Sequence, residues 1–106
     1  MKIPDRVRIN GVDYEVILTE HLNDGSHMSY GYINFEQSTI EIDPERGGHQ
    51  HQCITLLHEI VHGIFHAQGM DNVENEEEIV QAISRGLYQV LQDNARKFFD
   101  LKEVGV

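Results

Sequence analysis

The stretch His58-Glu59-Ile60-Val61-His62 constrains this chain most, because it puts two imidazoles and a carboxylate inside the most apolar segment. Residues i and i+4 lie on one face of an α-helix, about 6 Å apart along the axis. Their ring nitrogens can reach a common ion, since zinc–nitrogen bonds are about 2.0 Å long. Burying such groups without partners would cost a few kcal/mol each. The spacing therefore predicts that His58 and His62 bind one metal ion.

Glu59 follows the first histidine directly and projects to the side of the histidine pair. From there its carboxylate can hydrogen-bond a water molecule on the metal rather than the metal itself. The sequence therefore predicts Glu59 as a general base.

His66 is four residues beyond His62 and is a tempting third ligand. On a continuous helix it lies about 12 Å from His58 along the axis, too far to share one ion. The long metzincin motif breaks its helix at a glycine and adds a later histidine, but those positions are Phe65 and Gln68 here. We expect His66 at a polar rim of the site, with an oxyanion or supporting role as the alternative.

The glutamate run in "NVENEEEIV" offers carboxylate ligands at the start of the last helix. Glu77 shares a helical stripe with Val80 and Leu87, so it is predicted to face inward. Glu78 suits a capping box, in which its carboxylate bonds the backbone at the helix start. Glu77 is therefore the predicted third ligand, and Glu76 and Glu78 are the alternatives.

The N-terminal half has the period-2 pattern of β-strands. Apolar side chains alternate over residues 6–9 and 12–18 on either side of Asn10-Gly11, a pair that favours a type I′ hairpin turn. A second hairpin is predicted from residues 28–35 and 39–43. We expect a small, mainly antiparallel sheet.

Two helices are predicted after the sheet. The first spans about residues 50–68, is apolar on nearly every side and stops at Gly69. The second starts near Asn75 as N-cap and runs to about Leu101. Gly86 in mid-helix predicts a close crossing with the first helix. The expected apolar face of the second helix consists of Val80, Ile83, Leu87, Leu91 and Phe98.

The expected fold is α+β: the sheet packs on a central helix that carries the histidine motif, and on a long C-terminal helix. A length of 106 residues predicts one domain over residues 1–106.

A formal net charge of −10 disfavours binding to nucleic acids and anionic lipid. The lone cysteine, Cys53, is expected in the core, and the absence of an export signal or a long apolar run predicts a cytoplasmic protein without a membrane anchor.

Three segments in order, "GYINFEQSTIEID", "QCITLLHEIVHGIFHAQGM" and "NEEEIVQAISRGLYQVLQDN", resemble the small phage and mobile-element zinc peptidases of the ImmA/IrrE type, within the gluzincin-like HExxH group. The resemblance covers roughly residues 30–94 and implies a minimal zincin-like fold. It implies one zinc ion held by His58, His62 and Glu77, with Glu59 as the catalytic carboxylate. It also implies that the strand before the motif helix docks an extended peptide.

The function expected from these features is zinc-dependent hydrolysis of a peptide bond in an intracellular protein. The alternative is a non-catalytic binding or regulatory module of phage or mobile-element origin, stabilised by a metal ion. That alternative predicts a site closed by a fourth protein ligand, for which His49, His51 and His66 are available.

The residues that would assist catalysis are less well defined by the sequence. An oxyanion donor is needed, and the chemically able candidates are Tyr30, Tyr32, His66 and Tyr88. An extended substrate could pair with the strand that contains Gly31, Tyr32 and Ile33. A strand bulge is expected at Gly31 in preference to close approach by another backbone.

Overall fold

The protein is built in three layers: a four-stranded sheet, a central helix and an outer helix. The computed structural model describes residues 2–22 and 30–98, with side chains described as far as residue 94. The expected α+β class is confirmed. The elements are β1 (Arg6–Ile9), β2 (Val12–Leu18), β3 (Gly31–Asn34), β4 (Thr39–Ile42), α1 (His49–Ala67) and α2 (Glu76–Phe98).

Both predicted hairpins are present in the sheet, whose strand order is β1-β2-β4-β3. Asn10 and Gly11 have φ angles of 50° and 85°, as a type I′ turn requires. The two hairpins join through β2 and β4, which pair in parallel, a pairing that the sequence did not predict. Because β4 lies between β2 and β3, the second hairpin leaves β3 at an edge of the sheet.

Helix α1 ends where the glycine signal predicts. Gly69 has a φ of 72°, and its N–H donates to the carbonyl of His66 at 3.0 Å. The N–H of Met70 donates to the carbonyl of Phe65 at 2.8 Å. These two bonds form a Schellman motif, which satisfies carbonyls that the helix end leaves unpaired.

The core lies on both sides of α1. One cluster joins α1 to the sheet and consists of Ile9, Tyr14, Ile33, Ile40, Ile42 and Leu56. The other joins α1 to α2 and consists of Cys53, Leu57 and Tyr88. The predicted central helix and the predicted core position of Cys53 are therefore confirmed, although Ile64 of α1 is 44% exposed.

The close approach to α1 occurs at Gly63, and the predicted crossing at Gly86 is wrong. A Cβ on Gly63 would lie 2.8 Å from Ile9 Cδ1 and 3.1 Å from Ile33 Cδ1, so the sheet contacts the helix backbone there. Apart from its chain neighbours and the backbone of α2 itself, no described atom lies within 4 Å of a Cβ placed on Gly86. The predicted face of α2 also needs correction, since Ile83 is 42% exposed.

Helix α2 begins next to the predicted N-cap. The carbonyl of Asn75 accepts the N–H of Ile79 at 3.1 Å, which is the first bond of the helix. The predicted end near Leu101 lies outside the described residues. Neither α1 nor the described part of α2 is long and apolar enough to cross a membrane.

Candidate metal centre and cavity

Helix α1 presents His58 and His62 on one face, one turn apart. Their ring centroids are 4.9 Å apart, and the rings meet edge to face at 62°. Both side chains are mostly buried: 18% of the His58 side chain and 17% of the His62 side chain are exposed. The apolar residues around them hold α1 between the sheet and α2, so both rings face one cavity.

The first turn of α2 brings Glu77 to this pair. Its Oε1 lies 2.6 Å from His58 Nε2, and its Oε2 lies 2.9 Å from His62 Nε2. One ligand atom from each of the three side chains lies within 4.8 Å of the others. Glu78, one of the two alternatives for the third ligand, is exposed and does not line the cavity.

These three side chains could hold one metal ion. Two imidazole nitrogens and one carboxylate oxygen are the donor set of several catalytic zinc sites. Two metal–ligand bonds of about 2 Å span up to about 4 Å, so the observed spacing needs only a small adjustment. Glu77 can provide that adjustment, because its side chain is 69% exposed.

Glu76, the other alternative, occupies the opposite side of the His62 ring. Its Oε2 lies 2.6 Å from His62 Nδ1. A carboxylate can only accept, so Nδ1 carries a proton and donates it to this bond. Nε2 is thereby left to face Glu77 and His58. Carboxylates in this position orient metal-binding histidines and raise the basicity of the nitrogen that binds the metal.

The two histidines respond differently to their surroundings. Burial lowers the pKa of His58, and the nearby charge of Glu77 only partly offsets this effect. Burial acts in the same direction on His62. There the hydrogen bond to Glu76 and the charges of Glu59 and Glu77 outweigh burial, so the pKa of His62 is raised.

Glu59 is buried at the base of the cavity, with 7% exposure. Burial raises its pKa to about 7, although the backbone N–H of Ile33 donates to its carboxylate and acts in the opposite direction. A carboxyl group with a pKa near neutrality suits proton transfer at physiological pH. The position of Glu59 beside the histidine pair agrees with the geometry that the sequence predicts.

Gly31 lets β3 approach α1 at this point. A Cβ on Gly31 would lie 2.6 Å from Thr55 Cγ2 and 3.2 Å from Glu59 Oε2. The strand pairs with β4 in unbroken register, so the bulge expected at Gly31 is wrong. The glycine is required because side chains of α1 occupy the space.

The cavity has a volume of about 700 Å³ and lies between β3, α1 and α2. All three residues predicted to pair with an extended substrate, Gly31, Tyr32 and Ile33, line it. Tyr30, an oxyanion candidate, lines it as well. Tyr88 is not among the lining residues. It is buried in the cluster between α1 and α2, and its hydroxyl accepts from Gln92 Nε2 at 2.7 Å.

His66 lies outside the metal-binding group, as its distance along the helix predicts. Its ring stacks on Phe35 at a centroid distance of 3.8 Å. Its Nδ1 lies 3.1 Å from Asp71 Oδ1. His66 therefore connects the turn after β3 to the end of α1; Phe35 lines the cavity, but His66 itself does not.

His49 and His51 begin α1, which agrees with the expected helix start. Neither belongs to the group of three that could hold a metal ion among the described residues. His51 lines the far end of the cavity, where its ring lies 4.7 Å from that of Tyr30.

The sequence predicts Glu76 only as an alternative ligand and not as the partner of His62, and it gives no role to Arg85, which also lines the cavity. Arg85 lies two turns after Glu77 on the same side of α2. The i, i+4, i+8 series of Glu77, Gln81 and Arg85 is the signal that could have identified it.

Comparisons of the chain with protein-family models, curated proteins and solved structures found no match. The function of this chain is therefore inferred from the geometry of its site and from the resemblance of its motifs.

Proposed function

We propose that this protein is a zinc-dependent peptidase of the ImmA/IrrE type that hydrolyses a peptide bond in an intracellular protein. One observation supports this proposal above the others. His58, His62 and Glu77 converge in an open cavity, and Glu59 is buried beside them without belonging to the ligand group. Three protein ligands leave a coordination position for water, whereas structural zinc sites are closed by four.

A zinc ion held by these three side chains would supply a Lewis acid that makes water nucleophilic near neutral pH and polarises the substrate carbonyl. Glu59 accepts a proton from the attacking water. The same carboxyl group then donates that proton to the leaving amine as the C–N bond breaks. Glu76 holds His62 in one orientation throughout.

Strand β3 is suited to position the peptide. It is an edge strand and lines the cavity, so an extended substrate can pair with its backbone. Tyr30 and Tyr32 both line the cavity, so the hydroxyl of either is a candidate donor to the oxyanion. A cytoplasmic location and a phage or mobile-element origin complete the proposal.

The proposal is tested by metal content and hydrolysis together. The wild-type protein should bind one zinc ion, and His58→Ala and Glu77→Ala should lose it, as measured by atomic emission after dialysis. Glu78→Ala is the matched control, because Glu78 is exposed at the same helix start. Wild-type protein should cleave unfolded casein, a chelator should stop cleavage, and zinc should restore it.

A non-catalytic module would give a different result. It would bind zinc with four protein ligands and would not cleave casein under any metal condition. Zinc retained in both ligand variants would contradict the proposed site itself.

A further inference from the structure

The cavity has unlike charges at its two ends. Glu59, Glu76 and Glu77 are all at the end where the histidines lie. Arg85 is the only lysine or arginine that lines the cavity among the described residues. The chain has eight lysines and arginines against eighteen acidic residues, so a basic wall is unusual here.

Arg85 makes no hydrogen bond or ion pair with the residues that the structure describes. Beyond Arg85, Arg46 lies over the Tyr30 ring, with its Cζ 4.9 Å from the centroid. Arg85 therefore lines the cavity, and Arg46 contacts Tyr30, another residue that lines it.

The neighbours of β3 show the direction in which the strand crosses the cavity. Tyr30 lies beside His51 near the start of α1, and Phe35 stacks on His66 near its end. Strand β3 therefore runs in the same direction as α1. A peptide that pairs antiparallel with β3, the more stable arrangement, runs from Phe35 toward Tyr30.

Helix α2 runs in the opposite direction to α1. Glu76 contacts His62 near the end of α1, whereas Tyr88 packs with Cys53 near its start. Arg85 therefore lies at the same end of the cavity as Tyr30 and His51. The peptide segment after the cleaved bond would reach this end.

We infer that Arg85 binds a carboxylate of the substrate, on the C-terminal side of the cleaved bond. This inference rests on the proposed peptidase function and specifies its substrate class. Glu77 and Arg85 are separated by about 12 Å along α2, at about 1.5 Å per residue. An extended peptide covers about 3.3 Å per residue, and the arginine side chain shortens the gap. The carboxylate therefore belongs two or three residues after the cleaved bond.

Charge complementarity favours this assignment over a basic substrate segment. A lysine or arginine at this end would be repelled by Arg85 and Arg46. A carboxylate there lies far from Glu76 and can form a paired hydrogen bond with the guanidinium. Either an aspartate or glutamate side chain or the C-terminus of the substrate can supply that group.

The test uses zinc-loaded wild-type protein and amidated octapeptides of alanine and leucine, each with one aspartate at a different position. A matched set replaces aspartate by asparagine, and a third set ends in a free carboxylate. Mass spectrometry of the products locates the cleaved bond. We expect aspartate two or three residues after that bond to increase the cleavage rate about tenfold or more over asparagine.

The variants separate the role of Arg85 from general charge effects. In Arg85→Gln the ratio of aspartate to asparagine cleavage should fall to about one, and in Arg85→Glu it should fall below one, because the new carboxylate repels aspartate. The control Arg8→Gln removes an exposed arginine on β1 and should keep the wild-type ratio. An unchanged ratio in Arg85→Gln, or a preference for aspartate before the cleaved bond, would overturn the inference.

The three peptide sets also identify the source of the carboxylate. If only the peptides with a free C-terminal carboxylate are preferred, the group that Arg85 binds is the substrate C-terminus. If internal aspartate is preferred, that group is a side chain. If no peptide is cleaved, the proposed peptidase function fails, and fluorescence polarisation of labelled peptides then decides the inference alone. Tighter binding of aspartate peptides that disappears in Arg85→Gln supports it, and equal binding of both sets overturns it.

Discussion

The two edge strands of the sheet, β1 and β3, have the same length but different chemistry. β1 carries Arg6 and Arg8, and Arg8 forms an exposed ion pair with Asp13 at 2.8 Å. β3 reads Gly-Tyr-Ile-Asn and carries no charge. Charged side chains on an edge strand discourage pairing with another chain, so β1 is protected in a way that β3 is not.

The difference follows the location of the cavity. The outer side of β3 faces α1, where the N–H of Ile33 donates to buried Glu59. β1 lies at the opposite edge of the sheet. The uncharged edge of the sheet therefore lies beside the candidate catalytic groups, and the charged edge lies away from them.

The largest effect is expected for Glu59→Gln beside β3. Loss of the general base should reduce peptide hydrolysis by about 10²–10⁴-fold. Zinc content should remain that of the wild type, because Glu59 is not in the ligand group. The comparison variant is Asp13→Asn beside β1, which should hydrolyse at the wild-type rate. Full activity in Glu59→Gln would eliminate the proposed mechanism.

A smaller effect is expected for Glu76→Gln on the opposite wall of the cavity. Without the charged partner of Nδ1, zinc affinity should fall about 10–100-fold. Competition with a fluorescent zinc chelator measures this change. Glu78→Gln is the matched control, since it removes an exposed charge two residues away. Equal affinities for the two variants would show that the bond to His62 has no influence on zinc.

Gly31→Ala on β3 should destabilise the protein, whereas replacement of an exposed residue on β1 should not. The new methyl group would lie 2.6 Å from Thr55 Cγ2, and Thr55 is held by a 2.9 Å hydrogen bond from Oγ1 to the His51 carbonyl. We expect a loss of about 1–3 kcal/mol in the free energy of unfolding, measured with urea. Arg8→Ala should leave the urea midpoint unchanged. A stable Gly31→Ala would mean that β3 and α1 can separate easily.

The smallest effects are expected for two glycines in helices, whose replacement by alanine should change the stability of the protein in opposite directions. Gly63→Ala should destabilise the protein, because its methyl group would lie 2.8 Å from Ile9 Cδ1. Gly86→Ala should stabilise it by up to about 1 kcal/mol, the usual gain in helix propensity. Thermal unfolding of both variants measures the difference. A destabilising Gly86→Ala would show that α2 has a close neighbour there.

Local patterns predicted most of the fold. The Asn10-Gly11 turn, the strands on either side of it and the Gly69 stop depend on nearby residues, and all of them appear in the structure. The alternation itself holds only in part, because Val12 and Leu18 at the ends of β2 are exposed. The parallel pairing of β2 with β4 depends on contacts distant in sequence. The same limit explains the error at Gly86, because a glycine shows that space is available but not which neighbour requires it.

The sequence predicts the part of the site that lies within one helix. The i, i+4 spacing places His58 and His62 together before any tertiary contact is known. Which carboxylate faces them depends on how α2 packs, so three glutamates remained open. The structure gives Glu77 and Glu76 separate positions on the two sides of the His62 ring. The functions of these positions are proposals that the variants above test.

The burial of Cys53 has a practical consequence. Its thiol is fully buried between α1 and α2, and burial raises its pKa. Thiolate is the species that reacts with alkylating reagents, so modification requires the helices to move apart. The rate at which an alkylating reagent labels Cys53 therefore reports how often α2 separates from α1, the helix that carries the histidines.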